Sequence, residues 1–259
     1  MKIKVLTLFP RFYDSFLDTS IIKRAVGKGI VDFSAVDIRS FTKDKYGRVD
    51  SAPVGGGAGL IEQLQPLVDC LKASKGPNAH VVFFTPRGHT YKEEDAVRFS
   101  KMDELILVCG HYEGVDERFL SYVDEELSIG DYILTGGEIP AMAVADSVIR
   151  LLPGAIASES LEDESFTNGL LEYPQYAEPY EYDGKKIPDI LYSGNHEAIK
   201  KWRKKEAFRI TRERRPDLYA KYPFAKADKK LIKELDEGIE EPDWLKKALQ
   251  KGHKFIKKD

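Results

Sequence analysis

The chain has 259 residues, with 40 Lys+Arg against 43 Asp+Glu for a net charge of −3; 42% of residues are hydrophobic and 32% charged. Those values exclude wholesale disorder and a minimal module, and they suit one large domain or a main domain with an appendage. A membrane-spanning helix needs roughly 18 apolar residues in a row, and the longest apolar stretch, Ile139 to Ile156, is broken by Pro140, Asp146, Arg150 and Pro153.

The N-terminal stretch alternates strand and helix signals. Ile3 to Phe9 is an apolar run, and Phe12, Phe16, Ile22 and Val26 fall at helical spacing before Gly27 and Gly29. The start runs straight into Pro10 and Arg11 and does not read as a signal peptide. Val31 to Ile38 alternates apolar and polar, as a half-buried strand does. Pro66 opens a helix through Leu67, Val68 and Leu71 that ends near Gly76. His80 to Thr85 and Leu105 to Cys109 are short continuous apolar runs, expected of central parallel strands covered on both faces, with an exposed helix from Lys92 to Met102 between them. This alternation predicts an α/β layered domain. From Pro153 to Gly194 the periodicity is lost, as in a functional loop or linker, and after Asn195 it becomes helical. The expected division is a domain over 1–157, a linker over 158–194 and a small all-α domain over 195–259.

The modest net charge conceals an asymmetry. Residues 1–194 carry 20 basic and 31 acidic side chains, net −11, while residues 195–259 carry 20 basic and 12 acidic, net +8. Positions 200–215 alone hold nine basic residues, among them Lys201, Arg203, Arg214 and Arg215, against two acidic ones, and they bracket Trp202 and Phe208. Clustered cations with interleaved aromatics suit phosphate contacts and base stacking, whereas a solvated helix with its aromatics turned inward is the plainer alternative. No apolar helix face typical of membrane binding accompanies the cluster. The two cysteines, Cys70 and Cys109, exclude a disulfide framework and point to a reducing, cytoplasmic setting.

Three glycine-bearing segments carry the candidate chemistry. Gly55-Gly56-Gly57-Ala58-Gly59 contains a G-x-G-x-G, but polar residues precede it and Ala79 stands where a dinucleotide fingerprint needs an acid. What remains is a loop that exposes its backbone to a planar ligand. Gly110-His-Tyr-Glu-Gly-Val-Asp-Glu-Arg118 follows directly after an apolar strand, beyond whose carboxyl end α/β proteins bind ligands. Ser128-Ile-Gly-Asp-Tyr-Ile-Leu-Thr-Gly-Gly-Glu138 combines glycines with apolar walls. The five histidines show no metal-ligand spacing and no nucleophile triad is evident, so no metal site is expected.

Taken with Asp146-Ser-Val, Ser193-Gly-Asn-His and Arg214-Arg-Pro, these segments closely resemble the bacterial tRNA (guanine-N1)-methyltransferase family, in order from Met1 to about Pro216. The resemblance implies a knotted (trefoil) parallel-sheet methyltransferase domain of the SPOUT type plus a helical C-terminal domain that grips tRNA. It implies a homodimer with active sites at the interface, and methyl transfer from S-adenosylmethionine to N1 of the guanosine 3′-adjacent to the anticodon. Carried over by motif, the donor pocket comprises Phe83, Phe84, Thr85, Gly110, Tyr112 and Glu113, then Ser128, Ile129, Gly130, Asp131, Tyr132, Ile133 and Leu134, with Gly136 and Gly137 behind. Gly55, Gly56, Gly57, Ser193, Asn195 and His196 fall to the tRNA, together with Lys201, Arg203, Arg214 and Arg215 from the basic cluster. Guanine N1 carries a proton that a carboxylate must remove, and the charge that develops toward O6 suits a cation. The family's arginine lands on Arg150. Its catalytic aspartate falls just before Ser165-Phe166, where this chain reads Glu162-Asp163-Glu164. Either Glu164 serves as a longer base or a shifted register presents Asp163; direct register favours Glu164. Val54 stands in place of an aromatic residue usual before the triple glycine, and Arg87 in place of a usual glutamine. The rival reading is a non-catalytic RNA-binding protein that retains the fold, with the altered base position as its support.

Overall fold

A computed structural model of the chain describes residues 1–157, 161 and 164–252. The chain forms two compact units, Met1–Ser158 and Glu159–Asp259.

The first unit is built on five parallel strands, β1 (Lys2–Thr7), β2 (Asp32–Asp37), β3 (Ala79–Thr90), β4 (Glu104–Val108) and β5 (Glu125–Ser128), in the order β2-β1-β4-β3-β5. β4 is buried along its whole length, and its side chains divide by the two-residue period of a strand. Leu105 and Leu107 face a core shared with Val5, Val82, Phe99, Val144 and Val148. Ile106 and Val108 face the other, shared with Leu6, Val81, Phe83, Leu67 and Leu71. The first core is covered by α1 (Ser20–Gly27), α3 (Glu93–Phe99) and α4 (Glu138–Ile149), and the second by α2 (Leu64–Ser74). Burying each large aliphatic side chain contributes about 1.5–3 kcal/mol, so a strand apolar on both faces needs helices on both sides. Because β1 pairs with β2 on one side and β4 on the other, the chain order reverses there. Such a reversal leaves a crevice beyond the carboxyl ends of the strands.

This unit departs from the sequence expectation in three places. The helix expected over Phe12 to Val26 is broken into a 3-10 turn (Pro10–Tyr13), one turn of α-helix (Asp14–Leu17) and α1, because Thr19 is extended and Ser20 is left-handed, with φ 47°. The strand β5 carries no apolar run: its Glu125 and Glu126 disguise it as loop. β3 also continues past Thr85 through an irregularity in which Phe84 and His89 both pair with Leu127, throwing residues 85–88 out of the ladder.

The second unit opens with an irregular segment and a short hairpin, Glu181–Tyr182 with Lys185–Lys186, turned at Asp183 and Gly184, both of positive φ. α5 (His196–Arg214) is capped by Asn195, whose Oδ1 accepts the Ala198 N–H at 3.2 Å, and stops before Pro216, which opens α6 (Pro216–Lys221). α7 (Lys229–Asp236) and α8 (Asp243–Gly252) follow. Phe208 of α5 is fully buried against Leu170, Leu231, Tyr222 and Phe224.

Candidate active site

At the end of β4 the Cys109 N–H bonds the Leu6 carbonyl at 2.9 Å, and the chain then turns at Gly110 into the loop that ends at Arg118. That loop is held on both sides by backbone. The Gly137 N–H reaches the Gly110 carbonyl at 3.0 Å, and a Cβ on Gly137 would come within 2.5 Å of the Cys109 Cα. On the other side the Glu113 N–H bonds the Leu60 carbonyl (3.0 Å), the Glu62 N–H the Gly114 carbonyl (2.9 Å), and the Asp116 N–H the Glu62 carbonyl (2.9 Å). The flanks of the glycine-rich loop, residues 51–54 and 61–65, are thereby drawn around one cleft with the strand-end loop and the Ser128–Gly137 segment. Gly59 carries no Cβ because the Glu113 side chain fills that space. Tyr112 adopts a positive φ of 58° at the floor of the turn.

The cleft has a volume of about 1330 Å³, ample for a nucleoside-sized ligand beside a base, since single-ligand pockets run to about 300–1000 Å³. Of the donor-pocket positions read from the sequence, all but Asp131 line it, from Phe83, Phe84 and Thr85 through Gly110, Tyr112 and Glu113 to the Ser128–Gly137 segment. Gly55, Gly56 and Gly57 are not among its lining residues, although Pro53 and the fully exposed Val54 are. The looped-out residues of β3 bring Thr85, Pro86 and Arg87 into the wall. Arg87 is bonded there to Glu117 at 3.0 Å. Ser128 Oγ accepts the Gly130 N–H at 3.2 Å, which fixes the turn from which the exposed Tyr132 and Ile133 project.

Two carboxylic acids that sequence reasoning missed stand here, Glu62 in the wall itself and Glu138 behind it. Glu62 Oε1 accepts the His111 backbone N–H at 2.6 Å, while its Oε2 is buried without a hydrogen-bond partner. Glu138, the first residue of α4, accepts the Thr7 hydroxyl on Oε1 at 2.6 Å and meets His111 Nε2 with Oε2 at 2.6 Å. Burial pushes the Glu62 carboxyl up to about 8, the His111 N–H opposing and Glu138 and Asp50 reinforcing the rise. Burial likewise holds the Tyr13 hydroxyl and Cys109 thiol above their ordinary values; the two groups touch at 3.4 Å beneath Glu138. The Asp50 carboxylate raises the Tyr112 phenol. Glu62 sits in a short polar-apolar alternation and Glu138 ends a glycine motif, so neither leaves a sequence signal of burial.

The remaining predicted residues have the following places. Arg150 closes the carboxyl end of α4, its N–H bonded to the Asp146 carbonyl at 3.1 Å. Glu164 lies in the irregular segment near the start of the second unit, and Asp163 lies outside the described residues. Ser193 is buried, and its Oγ accepts the Asn195 N–H at 3.2 Å, so both residues shape the start of α5 that His196 begins. Much of the basic cluster is already paired. Lys204 meets Asp228 at 2.5 Å, Arg209 meets Glu206 at 2.6 Å, Arg212 meets Asp236 at 2.8 Å and Arg215 meets Asp217 at 2.7 Å. Lys201 lies over the Trp244 ring and Arg203 over Tyr173, at 4.6 and 4.7 Å. Lys200 and Arg214 are exposed. Phe208 is turned inward, as the plainer reading of the aromatics expects. His89, Asp95 and Glu125 also gather within 4.8 Å of one another, and Arg98 bonds both carboxylates there, at 2.9 and 2.6 Å.

An open parallel sheet with a glycine-walled cleft beyond the carboxyl ends of β4, β3 and β5 defines an α/β protein whose first unit has room for a nucleoside-like ligand. Comparison with known proteins specifies it further. Residues 1–221 match the family described as tRNA (Guanine-1)-methyltransferase TrmD. A tRNA (guanine-N(1)-)-methyltransferase of Malacoplasma penetrans is 53% identical over 86% of this chain and 98% of its own length. Those of Clostridium perfringens and Clostridium botulinum are 51% and 50% identical, over 90% and 92% of this chain and 99% and 100% of their own. The chain belongs to the tRNA (guanine-1)-methyltransferase family. α7 and α8 lie beyond the residues matched by the family.

Proposed function

We propose that the protein methylates N1 of the guanosine 3′-adjacent to the anticodon of tRNA, with S-adenosylmethionine as donor. The observation that carries this reading is that motifs far apart in sequence, Thr85, the Gly110–Arg118 loop and Ser128–Gly137, meet in one cleft in a chain half identical to enzymes of that name. The residues present fit the donor. Gly137 packs where a Cβ would collide with the Cys109 backbone and Gly110 where it would press on the Phe83 ring, and Phe83, Ile129, Leu134 and Pro140 offer apolar surface to an adenine ring. Bound there, the donor supplies an electrophilic methyl group on a positively charged sulfur.

In this mechanism a carboxylate takes the proton from guanine N1, turning a poor nucleophile into a competent one. Glu164 holds that role, with Asp163 as the alternative, and Arg150 offsets the negative charge that develops toward O6. Exposed cations of α5, Lys200 and Arg214 among them, contact tRNA phosphates. The reading also carries the trefoil knot that the family resemblance implies, and a homodimer, supported by the exposed apolar Phe9, Phe12, Ile133 and Ile139. No described helix is long and apolar enough to cross a membrane, and both cysteines are buried and unpaired, in keeping with a cytoplasmic setting.

The test is incubation with labelled S-adenosylmethionine and unmodified tRNA, followed by nucleoside analysis. N1-methylguanosine is expected; donor binding without incorporation would support the non-catalytic RNA-binding alternative instead. Single-turnover rates of Glu164→Gln and Asp163→Asn then assign the base. Loss of about 10²–10⁴-fold is expected for the true base, and loss in neither variant removes the assignment.

A further inference from the structure

Glu62, His111 and Glu138 form a row at the cleft wall, the two carboxylic acids buried and the imidazole half-buried. Glu62 is 1% exposed, Glu138 4%, and the ring of His111 joins Glu138 to the backbone position that Glu62 accepts. Gly136 leaves no room to shift the row, since a Cβ there would collide with the His111 ring and come within 2.6 Å of Glu138 Oε2. Phe9 stacks edge-on to His111 at 4.8 Å. Glu138 is anchored by the Thr7 hydroxyl and stands at the amino end of α4. Glu62 has only the single N–H on Oε1; ionised, it would leave Oε2 charged, buried and unpartnered. The charged groups around it are Glu138, Asp50 and Arg39, two acidic and one basic. With the carboxyl pushed up to about 8, Glu62 holds its proton at neutral pH, close enough to titration for a positive charge in the cleft to tip it.

We propose that Glu62 is a switchable counter-charge for the cleft: it gives up its proton to solvent when a sulfonium ligand is seated and regains it when the seat holds the neutral thioether left after methyl transfer. The proposal rests on the methyl-donor reading above. Donor and demethylated product share nearly the same shape and differ in the charge on sulfur, so contacts alone discriminate between them poorly. A buried carboxyl whose ionisation follows the ligand's charge discriminates by field, favouring the donor and loosening the product. Glu62 touches no reacting atom, and is therefore a positioning residue that sets specificity.

The test uses the full-length protein and calorimetric titration with S-adenosylmethionine and with S-adenosylhomocysteine at pH 7, in two buffers of different ionisation enthalpy. The wild type is expected to release more protons with the donor than with the product. Glu62→Gln keeps a carbonyl for the His111 N–H; it should abolish that excess and lower the donor-over-product preference about tenfold, leaving product affinity within about twofold. Infrared difference spectra of the wild type make the same test without a substitution, should Glu62→Gln fold poorly. The C=O band of a protonated carboxyl should be lost on adding donor and kept on adding product. An unchanged preference and proton count in Glu62→Gln, or a band that survives donor binding, overturns the proposal. A wild type that binds neither ligand overturns the donor reading itself, a result distinct from binding both without discrimination.

Discussion

Gly137 and Glu62 place opposite demands on the cleft, one on space and the other on charge. At Gly137 a methyl group would press on the Cys109 Cα and Cβ, at 2.5 and 2.9 Å, which are backbone-bound and cannot swing aside. Gly137→Ala should therefore cost about 1–3 kcal/mol, read as a lower urea midpoint, and should weaken donor binding. Gly56 has nothing within 4 Å of its would-be Cβ, so its substitution is limited by its positive φ of 87° alone. Glu62 has a folded pKa, about 8, above its unfolded value, so the native state holds the extra proton. Its protonation favours folding increasingly little as pH rises from about 4.5 to 8, and above 8 the loss is complete. Glu62→Gln lacks this dependence. Measured by urea unfolding at pH 5.5 and pH 8.5, the variant should gain on the wild type at the higher pH by up to a few kcal/mol. A constant difference would show that Glu62 does not titrate in that window.

At the scale of elements, the strands that lie under helices on both faces were the most legible. Ile3 to Phe9, His80 to Thr85 and Leu105 to Cys109 announce β1, β3 and β4 because a strand buried on both sides has no polar face to blur its pattern. β5 escaped because its Glu125 is paired with Arg98 and bonded to His80, a tertiary fact invisible in a local window. The break before α1 escaped for the same kind of reason, since apolar spacing carries through Thr19 and Ser20 although their backbone is not helical. The donor-pocket motifs were legible as glycine spacing; Glu62 and Glu138 were not, since nothing in a single glutamate tells whether it faces water. α4 lies against the sheet through Ala141 and Ala145, both fully buried. Ala145→Leu should overpack this contact and lower stability by about 1–3 kcal/mol, as read by urea unfolding.

Over the whole molecule, a net charge of −3 divides into an acidic first part and a +8 C-terminal part. The structure refines that division, because Lys204, Arg209, Arg212 and Arg215 spend their charge on neighbouring carboxylates. Exposed Lys200 and Arg214 are the better candidates for phosphate contact. The Lys200→Glu/Arg214→Glu variant should bind tRNA more weakly, with a shallower dependence of log affinity on log salt by about one unit or more. Arg212→Ala should change that slope less. A methyl group on guanine N1 blocks base pairing, so primer extension on a tRNA transcript treated with the protein and S-adenosylmethionine reads out which nucleotide is methylated. A donor-dependent stop at the guanosine 3′-adjacent to the anticodon is the expected result; full-length extension, or a stop at any other nucleotide, would contradict it.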